Sequence, residues 1–278
     1  MYGQMIAPPL TTQGNVVTIR MNIHLIACWQ FGGSTRILTR WFSEMDIEIT
    51  SQVENPERVE WRREQVVRAA VERFAINGYH GTTIKEIAEA AGVSPGLIYS
   101  YVKDKEELLL LVFMAIFKKY QEEIPKKLEG LRDPLLRFCA ALRAYCEAVG
   151  SNVGATVVGY QESKSLSPER RQIVKALELE TNELIADPVK ECMKAGYFRS
   201  INADLFTFRL VLFAHGWALK NWYFRDIISL DGYVEEGLNL FLHAVLTPSG
   251  WQHWHSLIGT NDAASLPPGR RAASVKKK

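Results

Sequence analysis

Three helix starts follow one another between Thr83 and Asp104, and no other feature of the chain constrains its fold as strongly. Thr83-Ile84-Lys85-Glu86 has the form of a capping box: the threonine hydroxyl accepts from the Glu86 amide, and the Glu86 carboxylate reaches back. Ala91-Gly92 ends that short helix. After Val93, Ser94-Pro95 opens the next with a side-chain acceptor and a proline placed where its missing N–H costs nothing. Asp104-Lys105-Glu106-Glu107 reads as another box and starts a long helix expected from Lys105 to Ile124. Upstream, Val67, Ala70, Val71, Phe74 and Ala75 recur at three and four residues. They give one apolar face to a helix from about Val59 to Asn77, which Gly78 stops. Three helices and a strut are therefore expected, the second and third joined by a three-residue turn.

That arrangement is a helix-turn-helix, whose last short helix fits the major groove of DNA while hydroxyls and amides at helix N-termini contact phosphates. In the short helix that begins at Pro95, Ile98 and Val102 point inward. Gly96, Tyr99, Ser100 and Lys103 stay outside, with Leu97 and Tyr101 flanking. Thr82, Thr83 and Ser94 are placed for phosphate contacts. Arg62 and Arg63 are candidates for further backbone contacts, although the arginines of this stretch alternate with glutamates as on an ordinary solvated face. The formal net charge of +2 carries no argument, because a phosphate footprint depends on where the basic residues sit.

The run Thr82-Thr83-Ile84-x-x-Ile87-Ala88-x-x-Ala91-Gly92-Val93-Ser94-x-Gly96-x-Ile98-Tyr99-x-Tyr101-Val102-x-x-Lys105-x-x-Leu108 resembles, without a gap, the DNA-binding signature of the TetR family. Phe74-Ala75-x-x-Gly78-Tyr79-x-Gly81-Thr82 looks like the end of that family's first helix and its following turn. By this resemblance Thr83 and Lys105 touch phosphates. Ser94, Pro95, Gly96, Leu97, Tyr99, Ser100 and Tyr101 form the groove-facing surface, and Ala88, Ile98 and Val102 are core. Tyr101 and Val102 stand where many members have a histidine and a phenylalanine.

The remainder reads as an all-α body, with helices expected at about 105–124, 134–149, a broken stretch near 151–164, then 168–195, 203–226 and 231–246. Pro125 is taken as a helix edge, and Pro188 as a point where the fourth of these kinks or splits. Asp204 to Tyr223 is apolar nearly all round, which one helix satisfies only by burial on several sides, one of them a second subunit. In the resembled family the last two long helices pair with their copies as a four-helix bundle beside a ligand cavity. Polar residues dropped into this apolar body are the cavity candidates: Tyr145, Tyr160, Gln161, Arg209, His215, Lys220 and Trp222, each of which has a plainer reading as a satisfied core or interface residue. The Gly216 to Trp222 stretch looks like that of family members answering to acyl-CoA thioesters or other lipid-like effectors.

The domain scheme is thus an undefined extension over 1–56, a helix-turn-helix DNA-binding domain over 57–105, a helical ligand-binding and dimerisation domain over 106–247, and a flexible basic tail over 248–278. A start at Met45 is the plain explanation of the extension. The expected partners are double-stranded operator DNA, a hydrophobic small-molecule effector such as an acyl-CoA, and a second copy of the chain.

Composition, at 47% hydrophobic and 23% charged, is that of a globular protein. Cys28, Cys139, Cys146 and Cys192 show neither C-x-x-C nor metal-ligand spacing, and a reduced cytoplasmic setting is expected. No membrane span or secretory signal is read, and no cofactor is implied. The phosphate-binding G-x-x-x-x-G-K-[ST], H-E-x-x-H, G-x-S-x-G and dinucleotide fingerprints are absent, so no enzyme is expected. His253 and His255 lack a third ligand, and no metal is expected there. The rival reading is a helical small-molecule carrier whose amino-terminal module is vestigial.

Overall fold

The computed structural model describes residues 56–260, together with a two-stranded antiparallel ribbon that pairs Thr11–Thr12 (β1) with Val17–Thr18 (β2). The expectations for the rest of 1–55, Cys28 and Met45 among them, and for 261–278 lie outside the described residues.

Four helices build the amino-terminal head. α1 runs Pro56–Gly81 and is broken at Gly78, whose φ of 71° and ψ of 164° no residue with a Cβ adopts readily. It is followed by α2 (Ile84–Ala90), α3 (Pro95–Tyr99) and the strut α4 (Lys105–Leu128). Val67, Ala70 and Phe74 of α1 are buried, and Ile87, Ala88, Ile98 and Val102 close over them, as the spacing requires. Ala75 is the exception and lies exposed.

The body continues with α5 (Pro134–Gly150), α6 (Val153–Glu162) and one 3-10 turn (Ser163–Ser165). Then come α7 (Pro168–Lys194), α8 (Ala203–Leu219), the single turn α9 (Asn221–Phe224) and α10 (Leu230–Val245). A last helix, α11, spans Pro248–Thr260. α5 sits at the centre, packed on α4, α7, α8 and α10. Side chains on the caps set most starts: Asp133 for α5, Ser167 for α7, Asn202 for α8 and Ser229 for α10 each accept from a first-turn amide.

Four boundaries differ from the expectation. Pro125 does not end α4, which runs one turn further, and α7 passes through the buried Pro188 without a break. The stretch near 151–164 is a regular helix followed by one tight turn. The helix expected over 203–226 stops at Lys220, where φ −117° and ψ 21° leave the helical region.

The largest correction concerns the tail. Residues 248–260 are helical, because Trp251, Trp254 and Leu257 recur at helical spacing and dock on the core. His253 lies face to face with Tyr197 at 4.4 Å and meets the Asp133 carboxylate at 2.5 Å. Among the described residues no helix is long and apolar enough to cross a membrane, and no three His, Cys, Asp or Glu side chains cluster as a metal site would require.

Candidate functional site

The surface offered by the head is the start of α3. Ser94 accepts from the Leu97 amide at 3.2 Å. Ser94, Pro95, Gly96 and the half-exposed ring of Tyr99 face outward, while Leu97 and Ser100 are partly covered and Ile98 on the opposite side is buried. The first turn of α3 therefore presents the exposed backbone of Gly96 beside a hydroxyl and an aromatic ring. Such a surface can hydrogen-bond phosphates and slide along base edges. α2 is positioned by the full capping box: the Glu86 amide donates to Thr83 Oγ1 at 3.2 Å, and the Thr83 amide donates to Glu86 Oε2 at 2.7 Å. Thr83 stays exposed at that end.

Three expected contacts are corrected by burial. Thr82 is 1% exposed, and its hydroxyl donates to the Gly78 carbonyl at 2.8 Å, so it stitches the α1–α2 turn. Tyr101 is 2% exposed and lies under α1, where its carbonyl accepts from the Arg63 guanidinium at 3.0 Å. Arg63 is therefore a buried strut of the head and not a backbone clamp. The Asp104 box is half formed: Asp104 accepts from the Glu107 amide, but Glu107 turns to the amide of Lys103. Lys105 donates to the Thr82 carbonyl at 2.7 Å and sits 4.4 Å over the Tyr79 ring, where partial burial lowers its pKa. Its remaining N–H groups are what it has to offer a phosphate.

Two polar seams join head to body. Glu162, at the end of α6, accepts from the Tyr79 amide at 3.0 Å and from Ser165 at 3.1 Å. Arg170 on α7 reaches Asp104 at 3.1 Å and Glu106 at 3.2 Å, while Glu106 also accepts from the Ser167 amide. The α1–α2 turn and the foot of α4 are thus pinned to α6 and α7.

Inside the body, three of the candidate ligand residues meet. His215 on α8 lies between two phenols, its Nε2 3.1 Å from the Tyr145 hydroxyl and its Nδ1 2.9 Å from that of Tyr160. Tyr145 is buried and stacks on Tyr120 at 4.6 Å, whereas Tyr160 is 45% exposed and marks the open side of the cluster. Desolvation lowers the His215 pKa to about 4, so its ring is neutral, and burial raises both phenols.

The other four candidates do not join them. Gln161 faces outward, one residue past Tyr160 on α6. Arg209 lines a groove of about 400 Å³ between α8 and α10 with Leu205, Phe206, Leu240 and Phe241. Lys220 and Trp222 lie beyond the end of α8 and are exposed, because the helix that was expected to carry them inward has already stopped.

What the sequence reading missed is on α7. Glu178 is half-buried, burial raises its pKa, and its charge acts on both Tyr145 and Tyr160. One turn on, Asn182 is 4% exposed, and neither atom of its amide has a hydrogen-bond partner among the described residues; the Thr181 and Thr207 hydroxyls are in the same position. The signal was present as Glu178 and Asn182 at four-residue spacing, with Thr181 beside them, a polar stripe next to the apolar one.

Comparison with known proteins follows the same division. Residues 66–112 match the family described as bacterial regulatory proteins, tetR family, and residues 132–226 match the tetracyclin repressor-like C-terminal domain. The HTH-type transcriptional regulator HbdR of Aromatoleum sp. (strain CIB) is 43% identical over 202 residues, which cover 73% of this chain and 88% of that protein. The HTH-type transcriptional repressor KstR2 of Rhodococcus jostii (strain RHA1) is 28% identical over 194 residues, or 67% of this chain and 92% of that one. Among solved structures, AibR in complex with isovaleryl coenzyme A and operator DNA shares the fold, with a TM-score of 0.57 at 19% identity, over 64% of this chain and 97% of that one.

Proposed function

The chain belongs to the tetR family of bacterial regulatory proteins, and from that premise we propose that it is a repressor that binds a palindromic operator as a homodimer and is released by a hydrophobic effector held in the body, an acyl-CoA thioester. The observation that carries the DNA-binding part is the first turn of α3, where Ser94, Pro95, Gly96 and Tyr99 are exposed together on a helix whose other side is locked into the head. One such helix offers few contacts, and two copies about 34–36 Å apart read successive major grooves on one face of a duplex.

A second copy is supported by α8 and α10. Leu205, Phe208 and Leu212 form an exposed apolar stripe at helical spacing, Leu240 faces outward on α10, and a groove runs between the two helices. The two helices also approach closely, since a Cβ at Gly237 would run into the Phe213 ring. The effector part is supported by the Tyr145–His215–Tyr160 cluster and the unpartnered polar groups of α7. AibR, which shares the fold, has been solved in complex with isovaleryl coenzyme A and operator DNA.

In this reading the unliganded dimer holds its recognition helices at the half-site spacing. An effector binds the DNA-free form more tightly by about 1–3 kcal/mol, as linkage demands of any released repressor. The seams at Glu162 and Arg170 are where the body grips the head.

A gel-shift on the DNA upstream of its own gene, with and without a panel of acyl-CoA thioesters, tests this. A specific shift that Tyr99→Ala abolishes, and that one thioester reverses, is the expected result. Hydrophobic ligand binding with no specific shift at low salt would favour a carrier with a vestigial head instead.

A further inference from the structure

A proton count over the Tyr145–His215–Tyr160 cluster leaves one donor without a use. A neutral imidazole brings one N–H and two phenols bring two O–H groups, while the two contacts within the cluster use two of these three protons. Burial decides which donor is surplus. Were it the Tyr145 hydroxyl, a donor on a residue only 1% exposed would be stranded, whereas the Tyr160 hydroxyl on the open side is not. Tyr145 therefore donates to Nε2, His215 donates from Nδ1 to the Tyr160 oxygen, and the Tyr160 O–H points out of the cluster to wait for an acceptor.

The surroundings of that donor carry a negative charge. The half-buried Glu178 acts on both phenols and opposes their ionisation. A carboxylate bound to Tyr160 would face the same charge. One turn along α7, the Asn182 amide is buried with both its donor and its acceptor unused.

We propose that this site takes an effector through an uncharged carbonyl, that of a thioester, ester or amide, which accepts from Tyr160, and that Glu178 makes it reject the corresponding carboxylate. The inference rests on the reading that the body holds the effector, and it adds the chemical class of the group bound and the residue that sets it.

The test uses the full chain and matched neutral and anionic probes: octanamide with octanoate, benzamide with benzoate, and octanoyl-CoA. By calorimetric titration, at least one amide binds about tenfold more tightly than its carboxylate, the size of one charge-sensitive hydrogen bond. Tyr160→Phe removes about that factor from the amide and leaves the carboxylate unchanged, while Glu178→Gln narrows the ratio by strengthening the carboxylate. Equal or tighter carboxylate binding overturns the proposal, as does a Tyr160→Phe effect common to both probes, or no binding by any neutral probe.

The proton arrangement is checked separately. A long-range ¹H–¹⁵N spectrum, assigned with His215→Gln, is expected to show the Nδ1–H tautomer, and an Nε2–H tautomer would move the surplus donor to Tyr145 and overturn the assignment. Operator release separates the two readings. Release by octanoate but not octanamide sinks the selectivity and leaves the effector reading standing, whereas no release by any compound, octanoyl-CoA included, removes both.

Discussion

The head and the body hold their polar side chains in different ways. In the head, those that set the recognition helix are bound to main chain or to one another: Thr82 to Gly78, Ser94 to Leu97, Thr83 and Glu86 to each other, Arg63 to Tyr101. In the body, Thr181, Asn182 and Thr207 are buried with unused hydrogen-bonding atoms, and Glu178 is half-buried, which raises its pKa. A rigid reader of DNA needs its recognition helix held in one orientation, and local caps do that. A receptor needs polar groups left over for something else, which costs stability in the unliganded state.

The comparison breaks first at the head's core. Ile98, fully buried behind the groove-facing turn, changed to Asp costs about 4 kcal/mol or more, because an unpaired carboxylate replaces packed methyls. Operator binding should vanish in a gel-shift while the helical body keeps its cooperative thermal transition. Loss of both together would mean that head and body fold as one unit, and the contrast drawn between them would fail.

A pH titration of stability probes the body. His215 titrates at about 4 in the folded state against about 6.5 unfolded, so the unfolded chain binds the extra proton between these values. Stability from this group is complete above about pH 6.5 and is lost as the pH falls toward 4, by about 3 kcal/mol. Urea melts at pH 7 and pH 4.5 should show His215→Gln losing less than the wild type. An equal loss would place the acid sensitivity elsewhere.

Asn182→Leu should run in the opposite direction from most core substitutions. Replacing an unpartnered buried amide with an apolar side chain of similar size should stabilise the body by about 1 kcal/mol while blunting release of the operator by effector. A raised Tm with an unchanged effector response would make Asn182 a packing defect and not part of the site. The smallest effect is Ser94→Ala, which removes the α3 cap at a cost of about 1 kcal/mol and weakens operator binding at the same time.

The head was largely legible from the chain alone, because what positions it is local. A cap and the amide it accepts are three residues apart, and a helix face repeats every three or four, so Thr83, Ser94, Ile87 and Ile98 declared their places before any tertiary contact was known. The failures in the head, Thr82, Tyr101 and Arg63, share one cause: each is buried where α1 meets a later turn, Thr82 donating to α1 carbonyls and Arg63 of α1 meeting Tyr101 across 38 residues of sequence. In the body the apolar patterns located the helices to within a few residues, and the tryptophans of α11 carried a helical spacing that the surrounding Gly and Pro obscured.

The sequence by itself determined that the chain is helical, where its recognition helix begins and which family it resembles, because caps and periodicity are short-range properties of the backbone. Only the tertiary structure decided which polar residues share a site. Tyr145, Tyr160 and His215 lie on three different helices and converge only when α5, α6 and α8 pack, while Lys220, Trp222, Arg209 and Gln161 diverge for the same reason. Whether a buried donor is satisfied depends on a partner far away in sequence, and that is settled by packing and not by pattern.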